Sequence, residues 1–202
     1  VQKQIFREKS RELGKEEYYR LLNAAVSEKR ERLSGVLRTI AATGMRIGEL
    51  RYLTVETLSR QKIEIYFKGK QRVILMARSL VIFLRDYCRR NRITSGIIFA
   101  TKNGNPVDRR NIWVEMKELC EPARVLPSKV FPHNLRHLFA RCFYERERDL
   151  VRLADYLGHS SIETTRRYTM ITSEEACARE LELGLAGNES WGGAEKNKTE
   201  EI

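Results

Sequence analysis

The sequence predicts a mainly α (α+β) fold: a helical domain carrying a small antiparallel β-hairpin or three-stranded sheet at one edge. Three observations predict it. Apolar residues recur at helical spacing through most of the chain, the period falls to two only around Lys62–Met76, and Gly, Pro and Asn punctuate the segments between. Gly14 to Arg30 is the first helix, with Tyr18, Leu21, Leu22, Ala25 and Val26 on one face and Glu16 and Glu17 favouring its first turn. A second runs from about Leu33 to Thr43, with Gly44 as its stop. A short third follows Met45 and carries Ile47, Leu50 and Leu53. Lys62-Ile-Glu-Ile-Tyr-Phe67 alternates as a half-buried strand does, Lys68 to Gln71 turns, and Arg72 to Met76 returns. Ser79 to Arg90 is helical, with Leu80, Phe83, Leu84 and Tyr87 inward, and Ile97 to Phe99 reads as a third short strand. Asn103 to Pro106 turns, and Asp108 caps a helix running to about Cys120. Pro122, Pro127 and Pro132 make the next stretch loop. Helices follow at about His133–Arg146, Asp149–Leu157 (ended by Gly158), Ile162–Tyr168 and Ser173–Leu183.

The charge is uneven. The 202 residues carry a net +11, but residues 1–60 hold +5 and residues 61–150 hold +10, whereas the stretch after Ile171 sets 3 basic against 8 acidic residues. A basic body suits a polyanionic partner, most simply nucleic acid; the bland account is solubility. Apolar runs such as Leu80–Leu84 fall far short of the roughly 20 residues a spanning helix needs. Cys88, Cys120, Cys142 and Cys177 form no CxxC pair and read as core thiols of a reducing compartment. The N-terminus is charged, without the apolar run of a secretory signal, and a chain that opens on Val is expected to be a fragment of something longer. From Gly184 onward, Gly, Asn, Ser, Lys and Glu predict disorder over 184–202.

Four local features could carry chemistry. Thr43-Gly-Met-Arg-Ile-Gly-Glu-Leu50 places Arg46 at a helix start, which alone is an ordinary surface arginine. Phe67-Lys-Gly-Lys-Gln-Arg72 puts lysines at a hairpin tip, where a solvated turn is the ordinary account. In Pro132-His-Asn-Leu-Arg-His137, His133, Arg136 and His137 fall at i, i+3 and i+4 on one helix face. Two imidazoles so spaced can bind zinc, but Asn134 stands where a metalloprotease has Glu, and Arg136 repels a dication. His and Arg together suit an anion instead, because both donate to phosphoryl oxygens. Leu157-Gly-His-Ser-Ser-Ile-Glu-Thr-Thr-Arg-Arg-Tyr168 supplies His159 and Tyr168, which alone read as a capping imidazole and an interfacial ring.

Taken in order, these pieces resemble the tyrosine recombinase (phage integrase) family, over about Gly14 to Thr172. The resemblance implies the fold of the DNA breaking–rejoining enzymes. It implies a catalytic set of Arg46, Lys68, His133, Arg136, His159 and the nucleophile Tyr168. Lys70 is the reserve for the hairpin lysine, since the turn is shorter than the common form, and Lys70 and Arg72 are the expected DNA-backbone contacts. Glu49, one turn from Arg46, and His137 are expected as supporting partners of the catalytic groups. Residues 1–13 read as a linker remnant, 14–172 as the catalytic domain, and 173–183 as a helix exchanged between protomers or simply a solvated tail.

The implied reaction is phosphoryl transfer without metal, cofactor or ATP, through a 3′-phosphotyrosyl link. Fixed donors must meet the charge on the non-bridging oxygens, and arginines grip two oxygens each. The implied partners are double-stranded DNA and a homotetramer on it, with no membrane; the implied location is a bacterial cytoplasm, on the nucleoid when bound. Integration or excision of a phage or mobile element is the expected role. Beside it stand a Xer-type chromosome-dimer resolvase, a type IB topoisomerase core, a non-catalytic basic DNA-binding domain and a metallohydrolase.

Overall fold

Helix α1 (Lys15–Ser27) begins where Glu17 folds back to accept a hydrogen bond from the Gly14 N–H at 2.8 Å. It buries Leu21, Leu22, Ala24 and Ala25, while Val26, expected on the apolar face, is exposed. The computed structural model describes residues 11–67, 70–159 and 165, the side chains of Phe67 and Lys70 excepted. Helix α2 (Glu31–Thr43) is the centre of the domain. Its Leu33, Val36, Leu37 and Ile40 are fully buried, and α1 and the helices at Arg78–Arg90, Arg109–Glu118 and above all Pro132–Glu147 pack around it. The third expected helix is a 3-10 turn, Ile47–Tyr52, followed by a short helix, α3 (Val55–Arg60), that the periodicity did not reveal.

Strands β1 (Lys62–Phe67) and β2 (Lys70–Leu75) pair antiparallel, Lys62 opposite Leu75 and Phe67 opposite Lys70. The expected turn over 68–71 is therefore shorter. Lys70 and Gln71 belong to the ladder, opposite Phe67 and Tyr66. Ile63, Ile65, Ile74 and Met76 face the core. The third strand is absent among the described residues. Ile97 forms one isolated bridge with Thr54, and Ala100 another with Pro106, so the sheet has two strands. The physical reason lies in burial: Ile98 and Phe99 are both buried, without the one-sided alternation of a sheet edge. The Ile98 N–H is spent on the Leu53 carbonyl.

Helix α4 (Arg78–Arg90) buries Leu80, Val81, Leu84, Tyr87 and Cys88. Helix α5 (Arg109–Glu118) is capped by Asp108, whose carboxylate accepts from the N–H groups of Arg110 and Asn111 at 2.8 and 3.2 Å. Pro127–Lys129 forms a 3-10 turn, and Pro132 opens α6 (Pro132–Glu147), where a missing N–H costs nothing. Asp149 caps α7 (Leu150–Leu157), which stops at Gly158 in the left-handed region. Cys88 and Cys120 are buried free thiols and Cys142 is half-buried. Among the described residues no helix is long and apolar enough to cross a membrane. The helices expected at 162–168 and 173–183 and the tail at 184–202 lie outside the described residues, Thr165 excepted.

Candidate active site

The site is built at the C-terminal ends of α2 and α7 and the N-terminal half of α6. Gly44 ends α2 with φ +63, and a Cβ there would lie 2.4 Å from the Phe139 ring and 3.0 Å from Leu157. Only glycine fits, and the close approach turns the Gly44 carbonyl toward α6. There it accepts a hydrogen bond from Nη1 of Arg136. Arg136 is 1% exposed, the largest fully buried side chain described. Its Nη2 donates to the Leu157 carbonyl at 2.6 Å and meets Nε2 of His159 at 3.0 Å. The guanidinium is thus held by the two chain segments that stop α2 and α7.

That contact settles the His159 tautomer. A guanidinium can only donate, so Nε2 is the acceptor and Nδ1 carries the proton. Nδ1 lies 2.9 Å from Oγ1 of Thr165, the natural acceptor for that proton. Burial, joined by the charges of Arg136, Arg46 and Arg72 and by His133, lowers the His159 pKa to about 4. The ring is neutral at physiological pH and serves Arg136 as an acceptor. His133 lies one turn before Arg136 on α6, exposed, its ring edge-on to His137 at 4.5 Å between centroids.

Arg46 stands at the mouth, its side chain about half exposed. Glu49 holds it twice: Oε2 accepts from the Arg46 backbone N–H at 2.6 Å, and Oε1 from its Nη1 at 3.0 Å. The same Oε1 pairs with Nη1 of Arg72. Arg72, expected on the hairpin as a DNA-backbone contact, is largely buried. Its Nη2 donates to the Tyr156 carbonyl at 3.0 Å.

Arg46, Glu49, Arg72, His133, Arg136 and His159 all line one open groove of about 1760 Å³. Small-molecule pockets run to about 300–1,000 Å³, so this opening suits a larger substrate. Its far wall is the start of α5 with Arg109, Arg110 and Trp113, and its near wall includes Arg51 and Tyr52. None of these five was singled out in the sequence. The Asp108 cap followed by two arginines was the available signal for the far wall. His137 touches His133 but does not line the groove. Lys68 and Tyr168 lie outside the described residues, and Lys70 is described only by its backbone at the start of β2. No group of three or more His, Cys, Asp or Glu able to hold a metal is present among the described residues.

The sequence model described as "Phage integrase family" matches residues 11–175. The chain is 31% identical over 170 residues to tyrosine recombinase XerA of Pyrococcus furiosus, covering 80% of this chain and 58% of that protein. It is 30% identical over 149 residues to tyrosine recombinase XerD of Staphylococcus saprophyticus, covering 69% and 50%. The chain thus spans little more than half the length of these curated relatives. The fold is similar to the crystal structure of XerA recombinase, with TM-score 0.69 and 28% identity over 84% of this chain and 61% of that one. It is similar also to the Tn1549 transposon integrase in complex with transposon right end DNA, with TM-score 0.71 and 18% identity over 90% and 68%.

Proposed function

The chain belongs to the phage integrase (tyrosine recombinase) family, and from that premise we propose that it breaks and rejoins DNA strands through a phosphotyrosyl intermediate. One observation carries the reading. A fully buried Arg136 is presented, with His159, at the floor of a basic groove that Arg46 and His133 also line. Such a set suits a phosphodiester: two planar guanidinium groups and an imidazole face one groove, as partners for the two non-bridging oxygens and the leaving oxygen.

The step balances without a co-reactant. The Tyr168 phenol oxygen attacks the phosphorus, its proton passes to His133, the P–O bond to the 5′-oxygen breaks, and the hairpin lysine (Lys68, with Lys70 in reserve) protonates that oxygen. Arg46 and Arg136 neutralise the charge gathering on the non-bridging oxygens. His159 holds the Arg136 guanidinium in place through Nε2. A 5′-hydroxyl from a second strand reverses the sequence, exchanging one phosphodiester for another. The groove's remaining cations, Arg109 and Arg110 among them, bind the DNA backbone with strong salt dependence. The assembly is a homotetramer on double-stranded DNA.

The biological role proposed is integration or excision of a mobile element. Chromosome-dimer resolution is the second reading, favoured by the Xer recombinases among the relatives. The test of the chemistry is a nicked suicide duplex incubated with the chain in EDTA and resolved on a denaturing gel. A covalent adduct with wild type and none with Tyr168→Phe is expected; an adduct in both removes Tyr168 as nucleophile. Sequencing the DNA captured in adducts from genomic fragments separates the two roles, element ends for one and a single chromosomal locus for the other.

A further inference from the structure

We propose that Arg72 is a positioning residue that locks the lysine-bearing hairpin to the rest of the site, an inference that rests on the phosphoryl-transfer reading above. Arg72 sits on β2 opposite Ile65, on the side of the hairpin where Ile63, Ile65, Ile74 and Met76 are buried. Its guanidinium reaches two different elements. Nη1 pairs with Glu49, the carboxylate that also holds Arg46, and Nη2 donates to the Tyr156 carbonyl at the end of α7. Its stem lies across Gly158. A Cβ on Gly158 would stand 2.4 Å from Cδ and 2.6 Å from Nε of Arg72. Gly158 precedes His159, so the glycine's lack of a side chain serves this contact as well as its φ of +61.

One side chain therefore joins three segments: the turn that presents Arg46, the β1–β2 hairpin, and the α7 terminus that presents His159. The terminal nitrogens spend hydrogen bonds on protein acceptors, and both members of the Arg72–Glu49 pair are nearly nine-tenths buried. Burial pushes the Arg72 pKa down, joined by the charge of Arg46 and opposed by Glu49. Held between Glu49 and the Tyr156 carbonyl, Arg72 acts as a strut between elements. Lysine cannot replace it, since a single ammonium cannot span Glu49 and Tyr156 while filling the space over Gly158. Misplacing a catalytic group by about 1 Å costs about 10²-fold in rate. The group most exposed to that loss is the lysine at the hairpin tip, which protonates the leaving oxygen.

The test compares Arg72→Lys, Arg72→Met and Arg46→Lys in the full chain. The probe is a pool of nicked duplexes with randomised flanks, made with either an ordinary or a 5′-bridging phosphorothiolate linkage. A thiolate leaves without a general acid. Both Arg72 variants are expected to form the Tyr168 adduct about 10²-fold more slowly on the ordinary linkage and to recover to within about tenfold of wild type on the thiolate. Arg46→Lys is expected to stay slow on both. Thermal melts accompany each variant, and Arg72→Lys carries the comparison if Arg72→Met does not fold. Equal loss on both linkages, or no loss, overturns the proposal. So does a fall of about one in the salt slope for binding a mixed-sequence duplex, which marks a lost phosphate contact. No Tyr168-dependent adduct from wild type on either linkage overturns the phosphoryl-transfer reading itself, and this inference with it.

Discussion

Arg136 and Arg46 face the same groove and are held in opposite ways. Arg136 is 1% exposed and bonded to two backbone carbonyls and an imidazole, all of them at helix ends that glycines terminate. Arg46 is half exposed and held by a single carboxylate three residues away. The comparison teaches that one wall of the site is part of the core, while the other is set on the surface and steadied from behind. A residue of the first kind is tied into the fold as well as the groove; one of the second kind is tied to the groove alone.

The largest effect that could break this contrast is at Arg136. Arg136→Ala leaves the carbonyls of Gly44 and Leu157 buried without their donor, at about 1–3 kcal/mol each. It is expected to lose about 2–5 kcal/mol in denaturant unfolding and to form no adduct. Gly44→Ala should follow, since a Cβ would meet the Phe139 ring at 2.4 Å and the backbone stays at φ +63. About 2–4 kcal/mol of lost stability is expected in the same measurement. Arg46→Ala sharpens the contrast from the other side. The adduct rate should fall by about 10²–10³, while stability moves by no more than about 1 kcal/mol, as for other exposed ion pairs. A large stability loss at Arg46 would abolish the distinction.

Smaller effects concern His159. Thr165→Val removes the acceptor of the Nδ1 proton and lets the ring flip its tautomer, so Arg136 loses His159 as an acceptor. A rate loss of about tenfold is expected, with Thr165→Ser close to wild type, because one hydrogen bond of about 1–1.5 kcal/mol is at stake. The pH dependence has a definite sign. The folded His159 pKa of about 4 lies below the ordinary 6.5, so between these values the unfolded chain binds the extra proton. Stability therefore falls as pH drops from about 6.5 to about 4. Replacing His159 by Gln should flatten that part of the profile, as read from melting temperature at each pH.

Much of the fold is legible in the sequence, and the parts that are not share physical causes. Helices that end on glycine, at Gly44 and Gly158, announced their stops. The one that ends on left-handed Gln61 did not, because nothing in a Gln advertises a positive φ. Helix α3 was missed for that reason and for its brevity, although Thr54 followed by Thr57 offered a start: Thr57 Oγ1 accepts from the Thr54 N–H. Ile97–Phe99 looked like a strand because apolar runs do not say whether a neighbour strand exists. The i, i+3 spacing brought His133 and Arg136 to one face, but no local pattern says that Arg136 is buried. Its burial is made by Gly44 and Leu157, 92 and 21 residues away. Arg72 was readable by parity, since residues 72, 74 and 76 share a face; the charge of the side chain suggested the surface instead.

This groove is proposed to position a DNA phosphate for attack by Tyr168. Tandem mass spectrometry of the nuclease-trimmed covalent adduct tests it most directly. A nucleotide joined through its 3′-phosphate to Tyr168 is expected, with a free 5′-hydroxyl on the released strand. A nucleotide on any other residue, or one joined through a 5′-phosphate, would contradict it.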